Sequence, residues 1–109
     1  MPVEKWSDNV LVAHLADDPQ FTDDLLSLEE SPNGNTAHVV LDFAAVHFVN
    51  SSNLARLLKL RKKSGASGKK LVLCSVSTQV WGTFLVTGLD KVFEFSDNVP
   101  TALATVQMS

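Results

Sequence analysis

Short apolar runs separated by polar turns make up the chain, and the spacing of the apolar residues changes from one run to the next. Val3 to Trp6 and Val10-Leu11-Val12-Ala13-His14-Leu15 are β-forming stretches on either side of Ser7-Asp8-Asn9, whose side chains bond their own backbone and tolerate tight turns. They predict a hairpin. Phe21, Leu25 and Leu28 then recur at helical spacing, which places Asp23, Asp24, Glu29 and Glu30 on the opposite, polar face. Asp18-Pro19 opens this helix, with Asp18 as cap and Pro19 at the first helical position, where a missing amide costs nothing. Ser31-Pro32-Asn33-Gly34-Asn35 closes it with a loop.

His38-Val39-Val40-Leu41-Asp42-Phe43 is nearly continuous in β-branched and aliphatic residues, as suits a central strand covered on both faces. Val46, Phe48 and Val49 anchor the stretch after it to the core. A long helix follows from Ser51 or Ser52 to about Ser64, with Leu54, Leu57, Leu58 and the stem of Arg61 inward. Ser64-Gly65-Ala66-Ser67-Gly68 ends that helix, and Lys69 to Val76 is a further buried strand. Ser77 caps the next helix, whose stripe is Val80, Trp81, Phe84, Leu85 and Leu89, with Gly88 as the C-terminal cap. Val92-Phe93-Glu94-Phe95 alternates as a short strand. Asp97 or Asn98 then caps a last helix with Val99, Leu103 and Val106 inward. The order β-β-α-β-α-β-α-β-α predicts one α/β domain over residues 1–109. Its sheet is mixed but mostly parallel, of about four to five strands, covered by about four helices.

Composition narrows what such a domain does. With 109 residues the chain has enough core for one sheet and its helices but hardly for a deep substrate cavity, which weighs against an enzyme. Its net charge of −3 lacks the basic excess that phosphate neutralisation demands of a free-standing nucleic-acid binder. Cys74 is the only cysteine, which excludes an internal disulfide and a CxxC zinc site; among Leu71, Val72 and Leu73 it reads as a buried strand thiol. No apolar run approaches the ~20 residues that cross a bilayer, and the N-terminus lacks the pattern of a secretion signal. The expectation is a cytoplasmic protein without membrane insertion.

Candidate catalytic groups are few. His14 and His38 lie in predicted strands without carboxylate or cysteine at ligand spacing, so both read as structural. His47 precedes Ser51 by four residues, but a Ser–His pair needs an orienting third group and an oxyanion site, and the glycines of a nucleophile elbow are missing. Asp42 reads as an edge or capping carboxylate, and no phosphate-cradling glycine loop is present. No catalytic residue, metal ligand or cofactor is expected. The basic residues from Arg56 to Lys70 read as a solvated helix face, or as a surface for an acidic patch on a protein partner.

The segment with most chemistry is Val49-Asn50-Ser51-Ser52-Asn53-Leu54, where a buried stretch delivers the chain to a helix start. Unpaired amides and the helix dipole favour a negative group there. A serine at this place can act as an ordinary cap, and a phosphoserine would bring about −1.5 to −2 charges to an anion-friendly position. Val39-Val40-Leu41-Asp42-Phe43, followed by Val46-His47-Phe48-Val49-Asn50-Ser51-Ser52-Asn53-Leu54, resembles the signature of STAS domains of the anti-sigma-factor antagonist family. The similarity continues through Gly68-Lys69-Lys70-Leu71-Val72-Leu73-Cys74, Ser77-Thr78-Gln79-Val80 and Phe84-Leu85-Val86-Thr87-Gly88-Leu89.

The resemblance implies a partner switch. Its phosphoacceptor by position is Ser51, with Ser52 as runner-up, and its partner-binding surface is Asn50, Ser51, Ser52, Asn53, Leu54 and Arg56. The implied partners are an anti-sigma factor that is also a serine kinase, and a phosphatase. Two positions depart from the family pattern: Asn50 stands for the usual aspartate and Asn53 for the usual glycine, where it adds bulk on the partner's side. The alternative is a scaffold or adaptor that is not phosphorylated, such as a stressosome-like component or an accessory subunit of a lipid-transport ATPase.

Overall fold

The computed structural model describes residues 3–30 and 37–107, so the loop expected at Ser31-Pro32-Asn33-Gly34-Asn35 lies outside the described residues. Strands β1 (Val3–Ser7) and β2 (Val10–Ala16) form the expected antiparallel hairpin, with a bulge between Lys5 and Ser7. Helix α1 (Gln20–Glu30), strand β3 (His38–Ala45), helix α2 (Ser51–Ala66), strand β4 (Leu71–Cys74) and helix α3 (Thr78–Thr87) follow. A 3₁₀ turn at Leu89–Lys91, strand β5 (Glu94–Ser96) and helix α4 (Val99–Gln107) complete the order. The sheet runs β1-β2-β3-β4-β5, parallel from β2 onward, so β3 is central as its continuous apolar run requires.

Each crossover steps to the next strand in the same direction. Right-handed connections therefore put α1, α2 and α3 on one face of the sheet. Helix α4 follows the last strand, is free of that rule, and covers the other face. Alternation along the strands divides the core accordingly. Leu11, Ala13, Leu15, Val39, Leu41 and Phe43 pack under α1–α3, whereas Val10, Val12, Val40, Val72 and Cys74 pack with Ala102 and Val106 of α4. Phe84 of α3 joins the larger core edge-to-face, its ring centroid 6.4 Å from Phe43 and 5.2 Å from Phe95.

Several expected details shift. Pro19 sits just ahead of α1, where its carbonyl takes the Asp23 amide, while Asp18 still caps through the Thr22 amide at 3.0 Å. The inner face of α2 is Leu54, Leu57, Leu60 and Ser64; Leu58 is 38% exposed, and Arg61 lies outside with its Nε donating to the Val92 carbonyl at 2.9 Å. Asp24 and Glu29 are buried, because α1 packs against α2 on the side assigned to solvent. Gln20 donates to Asp24 at 2.8 Å, and Arg56 lies 3.7 Å from the Glu29 carboxylate. Strand β4 is shorter than Lys69 to Val76: the Lys69 amide closes the end of α2 on the Ser64 carbonyl, and Ser75 turns out of the strand at φ 57°. The 3₁₀ turn delays β5 to Glu94, and Asn98 is the residue that caps α4, accepting from the Thr101 amide at 2.9 Å.

His14 is the largest departure from expectation, since the sheet brings it two carboxylates that sequence spacing hides. Its Nε2 lies 2.5 Å from Glu4 of β1 and its Nδ1 2.7 Å from Asp42 of β3. The Glu4 bond, then the Asp42 bond, raise its affinity for a proton. His38 is the opposite case: its Nδ1 accepts the Lys70 amide at 2.9 Å, and burial, then the charges of Lys69 and Lys70, lower its pKa. The stability that His14 contributes is complete below its ordinary value of 6.5 and is lost as pH rises through its folded value. His38, held neutral, contributes stability above 6.5 that is lost as pH falls through its lowered value. Urea unfolding between about pH 5 and 8 is expected to show maximal stability near 6.5; His14→Gln flattens the alkaline side and His38→Gln the acidic side.

Candidate functional site

The parallel strands end together, which gathers the loops at 17–19, 46–50, 75–77 and 97–98 on one edge of the sheet, where ligands and partners of open α/β sheets are commonly met. The start of α2 stands in this cluster. Asn50 is its N-cap, extended at φ −109° and ψ 178°. Its Oδ1 accepts from the Asn53 amide at 2.8 Å, and the Asn53 Oδ1 accepts from the Asn50 amide at 3.0 Å, a reciprocal capping box. Asn53 also donates through Nδ2 to Asp18 at 2.9 Å. The second oxygen of Asp18 takes the amide and, at 2.7 Å, the hydroxyl of Thr22, so one carboxylate joins the starts of α1 and α2. The Asn53 side chain, then Thr22, hold the Asp18 carboxyl below the usual carboxylate range.

A second clasp lies beside it. Asp17 accepts from the His47 amide at 2.8 Å and meets the His47 Nδ1 at 2.7 Å. The His47 amide first, and then its ring, lower the Asp17 pKa. Two consecutive aspartates from the 17–19 loop thus fasten both ends of the 46–50 loop. Within this loop Val46 and Val49 point inward, but Phe48 is 55% exposed and is not the anchor that its apolar character suggests.

Ser51 and Ser52 are exposed at the first two positions of α2, and their hydroxyls make no hydrogen bond among the described residues. An ordinary serine cap, the reading from the residues alone, is therefore replaced: Asn50 caps, and both hydroxyls are left outside. Asn53 is 2% exposed and Leu54 7%, so neither presents its side chain to a partner, and the bulk expected of Asn53 on the outer surface is turned inward. Arg56 is partly exposed and lies near the buried Glu29 carboxylate. Of the residues named from the sequence, Asn50, Ser51 and Ser52 form the outer surface. Asp17, Asp18 and Phe48 join them; the signal available in advance was only the acidic pair before Pro19, which reads locally as a helix cap.

The remaining polar groups do not converge on this edge. His47 is oriented by Asp17, but no hydrogen bond joins it to Ser51 among the described residues. Asp42 lies within β3, bonded to His14 and, at 3.0 Å, to the Ala44 amide. Glu4 and Asp42 occupy opposite nitrogens of His14, so those three do not face a common cation, and no group of three or more such ligands is placed to hold a metal among the described residues. Cys74 is fully buried, its thiol pushed up to about 11 by burial and then by the Asp42 charge. No helix among the described residues is long and apolar enough to cross a membrane.

Because Asn53 satisfies a cap amide and the Asp18 carboxylate at once, Asn53→Ala is expected to lower the unfolding free energy by about 1–3 kcal/mol. Ser51→Ala, which removes no bond, should stay within about 0.5 kcal/mol in the same denaturant titration.

The architecture matches solved structures along nearly its whole length. A putative anti-sigma factor antagonist from Thermotoga maritima superposes with a TM-score of 0.83 at 19% identity, covering 97% of this chain and 93% of that one. An anti-sigma-factor antagonist (STAS) domain protein from Planctomyces limnophilus gives 0.78 at 20%, covering 96% of each chain. The Bacillus cell fate determinant SpoIIAA in its phosphorylated form gives 0.72 at 16%, covering 95% of this chain and 96% of that one. At such identities the likeness is one of fold. The sequence itself matches the STAS domain family model over residues 12–102, and the chain belongs to that family.

Proposed function

We propose that this chain is an anti-sigma-factor antagonist, a cytoplasmic single-domain switch that docks an anti-sigma factor and is controlled by phosphorylation of Ser51. The observation that carries this reading is the Asn50 cap, which leaves the Ser51 hydroxyl exposed at the positive end of a helix while two aspartate clasps hold the surrounding loop. The SpoIIAA relative in its phosphorylated form supports it.

In this mechanism the chemistry belongs to the partner. A kinase moves the terminal phosphoryl group of ATP to the Ser51 oxygen, the serine proton leaves with the kinase's base, and ADP departs. This chain is the substrate, and a separate phosphatase hydrolyses the ester. The modification introduces about −1.5 to −2 charges. The amides at the start of α2 receive some of that charge, but Asp17 and Asp18 already make the loop cluster acidic. A partner that covers this surface must desolvate the phosphate beside them, which weakens docking. Asn50 removes the family's aspartate, and Asp18 returns a carboxylate to the cap from the neighbouring loop. Phe48, exposed next to the serines, supplies the apolar contact.

The buried Asn53 also favours a second reading, a constitutive scaffold or adaptor. It fixes the loop through Asp18 whether or not the serine is modified. Phosphopeptide mass spectrometry of the protein from its native cell separates the two: phosphate on Ser51 supports the switch, and its absence under every growth condition leaves the adaptor.

Affinity capture with immobilised protein tests the docking surface directly. Ser51→Ala is expected to retain the partner, Ser51→Asp to bind it at least about tenfold more weakly, and Phe48→Ala to lose a comparable amount. Equal capture by wild type and Ser51→Asp contradicts the electrostatic switch.

A further inference from the structure

We propose that the cleft between the C-terminal half of α2 and the starts of β4 and β5 binds a small polyanion, a ligand carrying two or more phosphate or carboxylate groups. This cleft is at the opposite end of α2 from Ser51, about 20 Å along the helix axis at 1.5 Å per residue. Its volume of about 650 Å³ falls in the range of small-molecule sites. Among the described residues four cationic side chains line it, Arg61, Lys62, Lys69 and Lys70, against the single carboxylate of Glu94. The whole chain carries −3, so this local excess runs against its overall charge.

The cations are not absorbed by neighbours. Lys70 lies 3.9 Å from Glu94, a loose and half-exposed pair of little energetic consequence. Lys62 and Lys69 have no carboxylate partner among the described residues. Arg61 is held by its Nε bond to the Val92 carbonyl at 2.9 Å, which fixes the stem and leaves the terminal amino groups without a bond among the described residues. That fork suits a phosphate or carboxylate. Compensation of the helix dipole accounts for basic residues in the last turns of α2, but Lys69 and Lys70 lie beyond the helix and line the same opening. Buried Leu71 and Phe93 form an apolar floor, and the wall includes Ser64, whose buried hydroxyl has no hydrogen-bond partner among the described residues.

His38 offers a probe of the same lysines. Its ring accepts the Lys70 amide, and after burial the charges of Lys69 and Lys70 are what lower its pKa. A bound polyanion neutralises those charges and lets the His38 pKa rise, which NMR titration reads without any partner protein.

Calorimetric titration of the full chain at near-physiological salt with tripolyphosphate and, separately, citrate tests the cleft. Saturable binding of one equivalent is expected, and the tighter probe identifies a phosphate or a carboxylate source. The Lys62→Gln/Lys69→Gln double variant is expected to bind at least about tenfold more weakly. Lys59→Gln, on the same helix but outside the cleft, is expected to bind as wild type, and His38 should titrate higher with the probe bound. Absence of saturable binding by either probe overturns the proposal, as does unchanged affinity in the double variant or an equal loss in Lys59→Gln.

Discussion

The amide side chain of Asn53 is buried, and a buried amide must find partners for both of its ends. Its oxygen takes the Asn50 amide and its nitrogen reaches the Asp18 carboxylate, which in turn takes Thr22 at the start of α1. Three side chains thereby tie the beginnings of two helices that also pack against each other. The geometry of the whole loop edge follows from this small network. Asn50 is drawn into the cap, so Ser51 and Ser52 occupy the first helical positions with their hydroxyls outward. The 46–50 loop has Val46 and Val49 inward and can only turn Phe48 out. A surface with an exposed hydroxyl, an exposed aromatic ring and fixed carboxylates is the consequence of satisfying one buried amide.

Helix α2 also separates the charges of the molecule. Its start is surrounded by Asp17 and Asp18, its far end by Arg61, Lys62, Lys69 and Lys70, and both groupings complement the helix dipole. The two ends therefore offer chemically opposite surfaces on one rigid element. A partner that reads the serine end meets hydroxyls, an aromatic ring and negative charge, whereas the far end presents a basic hollow. The His14 bridge acts within the sheet instead, where it ties the hairpin strand β1 through β2 to the central strand β3.

Local patterns made most of the fold legible. The order of elements and the mostly parallel sheet followed from their alternation, and Gly88 at φ 77° and Ser77 with its bond to the Val80 amide at 3.2 Å cap α3 as their residue types suggest. What escaped the sequence was whatever depended on a neighbour distant along the chain. Asp24 and Glu29 look solvent-facing on a helical wheel, but α2 covers that side. Leu58 and Leu60 are equally apolar, and only the angle at which α2 meets the sheet buries one and exposes the other. His14 has no carboxylate at local ligand spacing because its partners belong to adjacent strands. The candidate segment was legible as a helix start with a serine pair, and its family frame was readable from residues 39–54, but the residues alone pointed to a serine cap where Asn50 caps. The inward turn of Asn53 was not, since its partner Asp18 lies thirty-five residues away.

Hydrogen–deuterium exchange of the protein, alone and with its captured protein partner, tests most directly whether the capped edge is the docking surface. In the free protein the Ser51 and Ser52 amides have no internal acceptor among the described residues and should exchange quickly. Strong protection of residues 46–52 is predicted in the complex, together with loss of that protection when Ser51 is phosphorylated. Protection confined to the basic end of α2, with 46–52 exchanging as fast as in the free protein, would contradict docking through the capped edge.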